Sequence, residues 1–187
     1  MTDTRGADAL LLIDIQRDYF PGGKMALYEP ARAATAAGLL LERFRRRGRP
    51  VIHVQHHAVR PGSGFLVAGS SGVEPWTTVR PAGDEPVIIK HFPNSFRETE
   101  LRDVLDRLRV KTLAVGGMMT HMCVDATVRQ ATDYGYEVLV AGDACATREL
   151  AFEGRSVPAP DVHAAFLAAL DGSYGRVVST EALLDQL

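Results

Sequence analysis

Several large functional classes are excluded by what this chain lacks. It has two cysteines in 187 residues, Cys123 and Cys145, too few for a disulfide framework. Neither sign of charge dominates: 21 Lys and Arg face 23 Asp and Glu, a formal net charge of -2. Nothing in that balance argues for a nucleic-acid surface or an anionic-membrane surface. The longest apolar runs, Ala9–Ile13 and the neighbourhood of Leu113–Val115, are far too short to span a bilayer. The polar stretch Met1–Asp8 lacks the basic-then-apolar pattern of a secretion signal, so a cytoplasmic location with reduced thiols is expected. No internal repeat, low-complexity tract or linker interrupts the chain. G-x-S-x-G, P-loop and G-x-G-x-x-G patterns are also missing, which weighs against serine hydrolases, nucleotide enzymes and dehydrogenases. Gly62-Ser63-Gly64 lies in a long loop rather than between a strand and a helix.

What remains is an ordinary globular composition, 46% hydrophobic and 24% charged, at a length that suits one domain over residues 1–187. Ala9–Ile15 is apolar except for Asp14, the pattern of a strand buried on both faces. Pro30–Arg47 has helical spacing and stops at Gly48. Further strands are expected at Val51–Val54, Val87–Ile89, Thr112–Val115, Glu137–Ala141 and Arg176–Val178. Further helices are expected at Glu98–Leu108, Thr120–Tyr134, Pro160–Leu170 and Thr180–Leu187. Residues 57–85, rich in Gly, Pro and Ser, form a long loop, a feature uncommon unless functional or disordered. Alternating strands and helices mean an α/β fold with a mainly parallel sheet. In such folds ligands gather beyond the carboxyl ends of the strands.

Polar residues at those ends are therefore the candidates. Asp14 ends the first strand, where a buried carboxylate is costly unless it is paired or working; the alternatives are a cap or a structural ion pair. Lys90 ends the third strand, either solvated or holding a nearby carboxylate and thiol in their anionic forms. Cys123 follows the fourth strand in the first turn of a helix, where the helix N-terminus favours thiolate; a buried packing thiol is the other reading. Cys145 has no identifiable acid/base partner and reads as packing. His53, His56 and His57 cluster at the end of the second strand, as metal ligands or as pocket-lining and hydrogen-bonding groups. Strand alternation sends His56 and His57 to opposite faces.

Together these residues resemble the isochorismatase-like cysteine hydrolases. The match is carried by Leu11-Leu12-Ile13-Asp14-Ile15-Gln16-Arg17-Asp18-Tyr19-Phe20, by Ile89-Lys90-His91-Phe92-Pro93-Asn94-Ser95-Phe96, and by Gly116-Gly117-Met118-Met119-Thr120-His121-Met122-Cys123-Val124-Asp125-Ala126-Thr127, continued by Gly142-Asp143-Ala144-Cys145-Ala146-Thr147. The resemblance implies a three-layer α/β/α architecture around a six-stranded parallel sheet of order 3-2-1-4-5-6. It also implies a Cys123, Asp14 and Lys90 triad and a cis peptide at Met118–Met119, with Met119 and Cys123 amides forming an oxyanion hole. Tyr19, Phe65 and Trp76 are candidates for an apolar pocket wall, and Gln16 and Asn94 for orienting polar groups. Nicotinamidases of this family hold a metal through an Asp-x-His pair; the matching stretch here is Gln55-His56-His57, so neither a metal nor another cofactor is expected. The implied activity is hydrolysis of a small amide, lactam or ureido substrate by a homodimer or homotetramer that binds neither nucleic acid nor membrane. Vinyl-ether cleavage, metal-dependent amide hydrolysis and an inactive binding protein are the alternatives.

Overall fold

The computed structural model describes residues 6–187, so the first five residues of the polar stretch Met1–Asp8 lie outside the description. Six parallel strands form the central sheet: β1 (Ala9–Ile13), β2 (Val51–His56), β3 (Val87–Lys90), β4 (Thr112–Met118), β5 (Glu137–Ala146) and, last in sequence, β8 (Arg176–Val178). Their spatial order is β3-β2-β1-β4-β5-β8. Between β5 and β8 the chain adds an antiparallel hairpin, β6 (Leu150–Phe152) and β7 (Arg155–Val157). Its two-residue turn is Glu153-Gly154, with φ of 48° and 75°. Positive φ at both turn positions matches the right-handed twist of paired strands.

Helix α1 (Pro30–Arg46) starts on a proline, whose missing N–H has no partner to lose at the first helical position. It packs with α5 (Thr180–Leu184) on one sheet face. The other face carries α2 (Leu101–Arg107) and α3 (Asp125–Asp133), with α4 (Ala159–Leu170) beside α3 and β8. The unbroken apolar run of β1 follows from this sandwiching. Leu10 and Leu12 enter the α1-side core, while Ala9, Leu11 and Ile13 enter the other. Among the described residues no helix is long and apolar enough to cross a membrane.

Several boundaries differ from the sequence reading, three of them close to the end of the sheet where β1 and β4 meet. β4 runs on through the glycines to Met118, and β5 runs through Gly142-Asp143 to Ala146. Asp143 is tolerated in the strand because its Oδ1 accepts from both the amide and the hydroxyl of Thr180, at 2.7 and 2.8 Å. The expected helix Thr120–Tyr134 is split: a π-helical turn, Thr120–Val124, precedes α3. Gly117 explains how β4 continues beside β1. A methyl group there would sit 2.2 Å from the Ile13 carbonyl oxygen, and its φ is +153°. Only glycine lets the two backbones meet this closely, one residue before Asp14.

Candidate active site

β1 and β4 are neighbours at the point where the strand order reverses, and the crevice beyond their carboxyl ends is where α/β sheets place ligands. Asp14 leaves β1 there with φ of 52°, a left-handed conformation that turns the chain out of the strand. Its side chain has no solvent exposure. Lys90 ends β3, two strands away, and its long side chain reaches the same spot, also without exposure. The ammonium Nζ lies 2.7 Å from Asp14 Oδ2, and it donates to the Phe92 carbonyl at 3.1 Å. His56, which sits opposite Lys90 in the parallel register of β2 and β3, places Nδ1 3.3 Å from the same ammonium. The π-helical turn after β4 brings in Cys123. A donor atom of each of Asp14, His56 and Cys123 lies within 4.8 Å of the other two. Asp14 Oδ1 is buried and has no hydrogen-bond partner.

Burial alone would lower the Lys90 ammonium. The charges of Asp14 and Cys123 beside it reverse that and raise its pKa above the ordinary lysine value. The thiol behaves the other way. Burial pushes Cys123 up to about 12, Asp14 adds to the rise, and Lys90 only partly opposes it. Burial thus opposes the thiolate that a helix N-terminus would favour, and the turn around Cys123 is π-helical rather than the first turn of an α-helix.

The Met118–Met119 peptide is cis, and the Met119 carbonyl accepts from Met122 and Val124 at 3.0 and 3.2 Å, shaping the turn that carries Cys123. Tyr19 is buried; burial raises its phenol pKa, followed by Cys123 and Asp14, which places the ring beside the site. Phe65 pairs with Tyr19 at 6.3 Å between ring centroids. Trp76 instead stacks on Phe20, rings parallel at 3.8 Å. Gln16 and Asn94, the expected orienting groups, both make hydrogen bonds within the protein. Gln16 is fully buried; its Nε2 donates to the His56 and Val73 carbonyls, and its Oε1 accepts from the His56 amide. Asn94 caps its own turn by accepting from Phe96 N, and donates to Gln130.

The three clustered imidazoles do not converge. His53 Nε2 pairs with Glu85 Oε2 at 2.9 Å, His56 faces Lys90, and His57 Nε2 is buried without a partner. Among the described residues the donor set compact enough for a metal ion is Asp14, His56 and Cys123. The Lys90 ammonium already lies against two of its three members, so a divalent cation would face that charge at contact distance. This donor set is therefore poorly suited to a divalent cation. Cys145 is buried within β5, its thiol donates to the Ala141 carbonyl at 3.4 Å, and burial pushes it up to about 12, all in keeping with packing. A cavity of about 550 Å³ lies beside it, lined by Tyr28, Arg32, Thr147, His163 and Val178 among others, but not by Asp14, Lys90 or Cys123.

The sequence reading also missed neighbours of the site. His121 shares a hydrogen bond with Thr147, and Arg148 places its charge close to both His121 and Tyr19. No spacing rule pointed to these, because they meet only through the β4–β5 pairing of Met118 with Ala146.

The isochorismatase domain model matches residues 8–182. The chain belongs to the isochorismatase family. This family hydrolase is 53% identical over 176 residues to the uncharacterized isochorismatase family protein YddQ of Bacillus subtilis, covering 94% of this chain and 98% of that one. It is 35% identical over 142 residues to a streptothricin hydrolase of Streptomyces noursei, a match that covers 76% of this chain and half of that protein. The crystal structure of an isochorismatase hydrolase from Oleispira antarctica superposes with a TM-score of 0.92 at 44% identity, covering 99% of this chain and all of the other.

Proposed function

We propose that this isochorismatase-family hydrolase is a cysteine hydrolase that cleaves a carbon–nitrogen bond of a small molecule, an amide, lactam or ureido compound. The observation that carries the reading is the buried contact of Asp14 with Lys90, with the Cys123 sulfur within 4.8 Å of the carboxylate. The match to an amide-cleaving relative, streptothricin hydrolase, supports the bond type. The steps are these. Asp14 takes the thiol proton as the sulfur attacks the substrate carbonyl carbon, and Lys90 keeps the charge pattern in place. The carbon–sulfur bond forms and the carbonyl electron pair moves to oxygen, which the Met119 and Cys123 amides receive. Collapse of that intermediate breaks the carbon–nitrogen bond, and Asp14 returns the proton to the departing nitrogen. Water then gives a proton to Asp14, attacks the thioester and releases the acid, and the sulfur recovers its proton.

The test is a panel of small primary amides, lactams and ureido compounds, including streptothricin, followed by amine or ammonia release. The expected result is turnover by the wild type, none by Cys123→Ala, and a mass adduct on the Cys123 peptide when turnover is stopped early with acid. Activity that survives Cys123→Ala would instead favour ether cleavage by Asp14 acting as an acid.

A further inference from the structure

Resting on the reading of Cys123 as nucleophile and Asp14 as its base, we propose that His56 is a positioning residue of the same centre: its neutral imidazole, protonated at Nε2, accepts a hydrogen bond from Lys90 at Nδ1 and so fixes the ammonium against Asp14. The argument starts from the ammonium. A lysine Nζ has three N–H donors and no acceptor. Around the buried Lys90 ammonium there are three oxygen or nitrogen acceptors, Asp14 Oδ2 at 2.7 Å, the Phe92 carbonyl at 3.1 Å and His56 Nδ1 at 3.3 Å, with the Cys123 sulfur also beside it. A nitrogen facing an ammonium donor cannot itself carry a proton, so Nδ1 is the bare nitrogen and the ring proton sits on Nε2.

The rest of the structure holds this imidazole in place. Gln16 clamps the His56 backbone on both sides, donating to its carbonyl at 3.0 Å and accepting from its amide at 2.9 Å. Gln16 lies two residues beyond Asp14, so the clamp ties the end of β2 to the end of β1. The β2–β3 register then sets His56 beside Lys90. The residue that presents the base, the residue that presents the cation and the residue between them are thus linked through three adjacent strands. The charged and titratable groups that face the imidazole are Lys90 and His91 from the end of β3, Asp14 from β1, His57 from its own strand and Cys123 from the π-helical turn. Burial and Lys90 together lower its pKa from the ordinary histidine value, so the ring is neutral where the ammonium is charged. An imidazolium at this position could no longer accept, and would set a second positive charge against Lys90.

Two measurements on the full chain test this. Long-range proton–nitrogen NMR of the imidazoles, with His56→Asn used to identify the His56 signals, reports the tautomer directly and needs no substrate. The expected result is Nε2–H with a bare Nδ1, and a titration midpoint that moves up in Lys90→Met while that of His53 stays. An Nδ1–H tautomer, or a midpoint indifferent to Lys90→Met, overturns the proposal. The second measurement is the rate at which p-nitrophenyl acetate acetylates Cys123, read by peptide mass spectrometry. His56→Ala should slow it roughly tenfold or more, the scale of a lost hydrogen bond to a charged group, while His56→Asn, whose carbonyl can replace the acceptor, restores most of it. A folded His56→Ala that reacts at the wild-type rate sinks the positioning role. A wild type that is not acetylated on Cys123 sinks the nucleophile assignment instead, and leaves His56 to be decided by its tautomer.

Discussion

Replacing Lys90 with methionine keeps most of the apolar stem of the side chain and removes its charge. In the native chain neither Lys90 nor Asp14 has any side-chain exposure, and their charged atoms are 2.7 Å apart. The variant would leave the Asp14 carboxylate buried with no counter-charge. Breaking a buried ion pair from one side costs about 3–5 kcal/mol. For a chain of this size each kcal/mol is worth roughly 2–4 °C in melting temperature, so Lys90→Met should melt roughly 6–20 °C below the wild type. The double variant Asp14→Asn/Lys90→Met removes both charges and should recover at least half of the loss, because the two substitutions share one interaction and are not additive. All three variants, the two singles and the double, should lack amide hydrolysis. Thermal melts over a pH series, with the double-variant cycle, make the measurement. A Lys90→Met protein that melts within about 2 °C of the wild type at neutral pH would show that the two groups are not a coupled buried pair, and the charge logic of the site would fail with it.

Other substitutions probe the scaffold. Gly117→Ala should destabilise by about 3 kcal/mol or more, since a methyl group 2.2 Å from the Ile13 carbonyl can be relieved only by moving a central strand. By contrast, Gly142→Ala meets only the side-chain tips of Leu167 and Val177, at 3.0 and 3.2 Å, and should cost clearly less in the same chemical-denaturation assay. Glu85 is held by Arg45, the Ala82 amide and His53; burial alone would raise its pKa, but these partners bring it from 4.5 down to about 2. A carboxylate with a lowered folded-state pKa stabilises fully above its unfolded value, so the melting difference between wild type and Glu85→Gln should be largest above pH 4.5 and fade as the pH falls toward about 2. Gly72→Ala would put a methyl group 2.2 Å from Asp18 Oδ2, which also accepts from Leu66 N, so the 57–85 loop should become protease-sensitive before the sheet melts.

The sequence carried the sheet well, because its strands are buried on both faces and therefore read as short apolar runs separated by helical spacing. β1 is the clearest case: Ala9–Ile13 is wholly buried, and the one polar residue that follows it, Asp14, is in the site. The β6–β7 hairpin was invisible to that logic, since its residues are mostly exposed and its pairing rests on the Glu153-Gly154 turn rather than on a buried face. The end of β5 was misjudged for a related reason. Gly142-Asp143 has the composition of a turn, and only the distant Thr180 makes Asp143 acceptable within a strand. In the site, the positions of Asp14, Lys90 and Cys123 followed from strand ends. The burial that raises the pKa of the thiol did not, because a sequence does not display depth. The roles of Gln16 and His56 were likewise hidden in the register between strands, where a residue's partner is 34 or 40 positions away.

The depth of Cys123 has a chemical consequence of its own. Peroxides and other electrophiles attack the thiolate and depend on access to it. A sulfur that is 3% exposed, and whose pKa burial raises, gives oxidants in bulk solution little to react with. Cys145, likewise buried and raised in pKa, offers no nearby second site of damage or exchange. Under the proposed function, the same burial means that whatever reacts with Cys123 must first enter the crevice beyond β1 and β4.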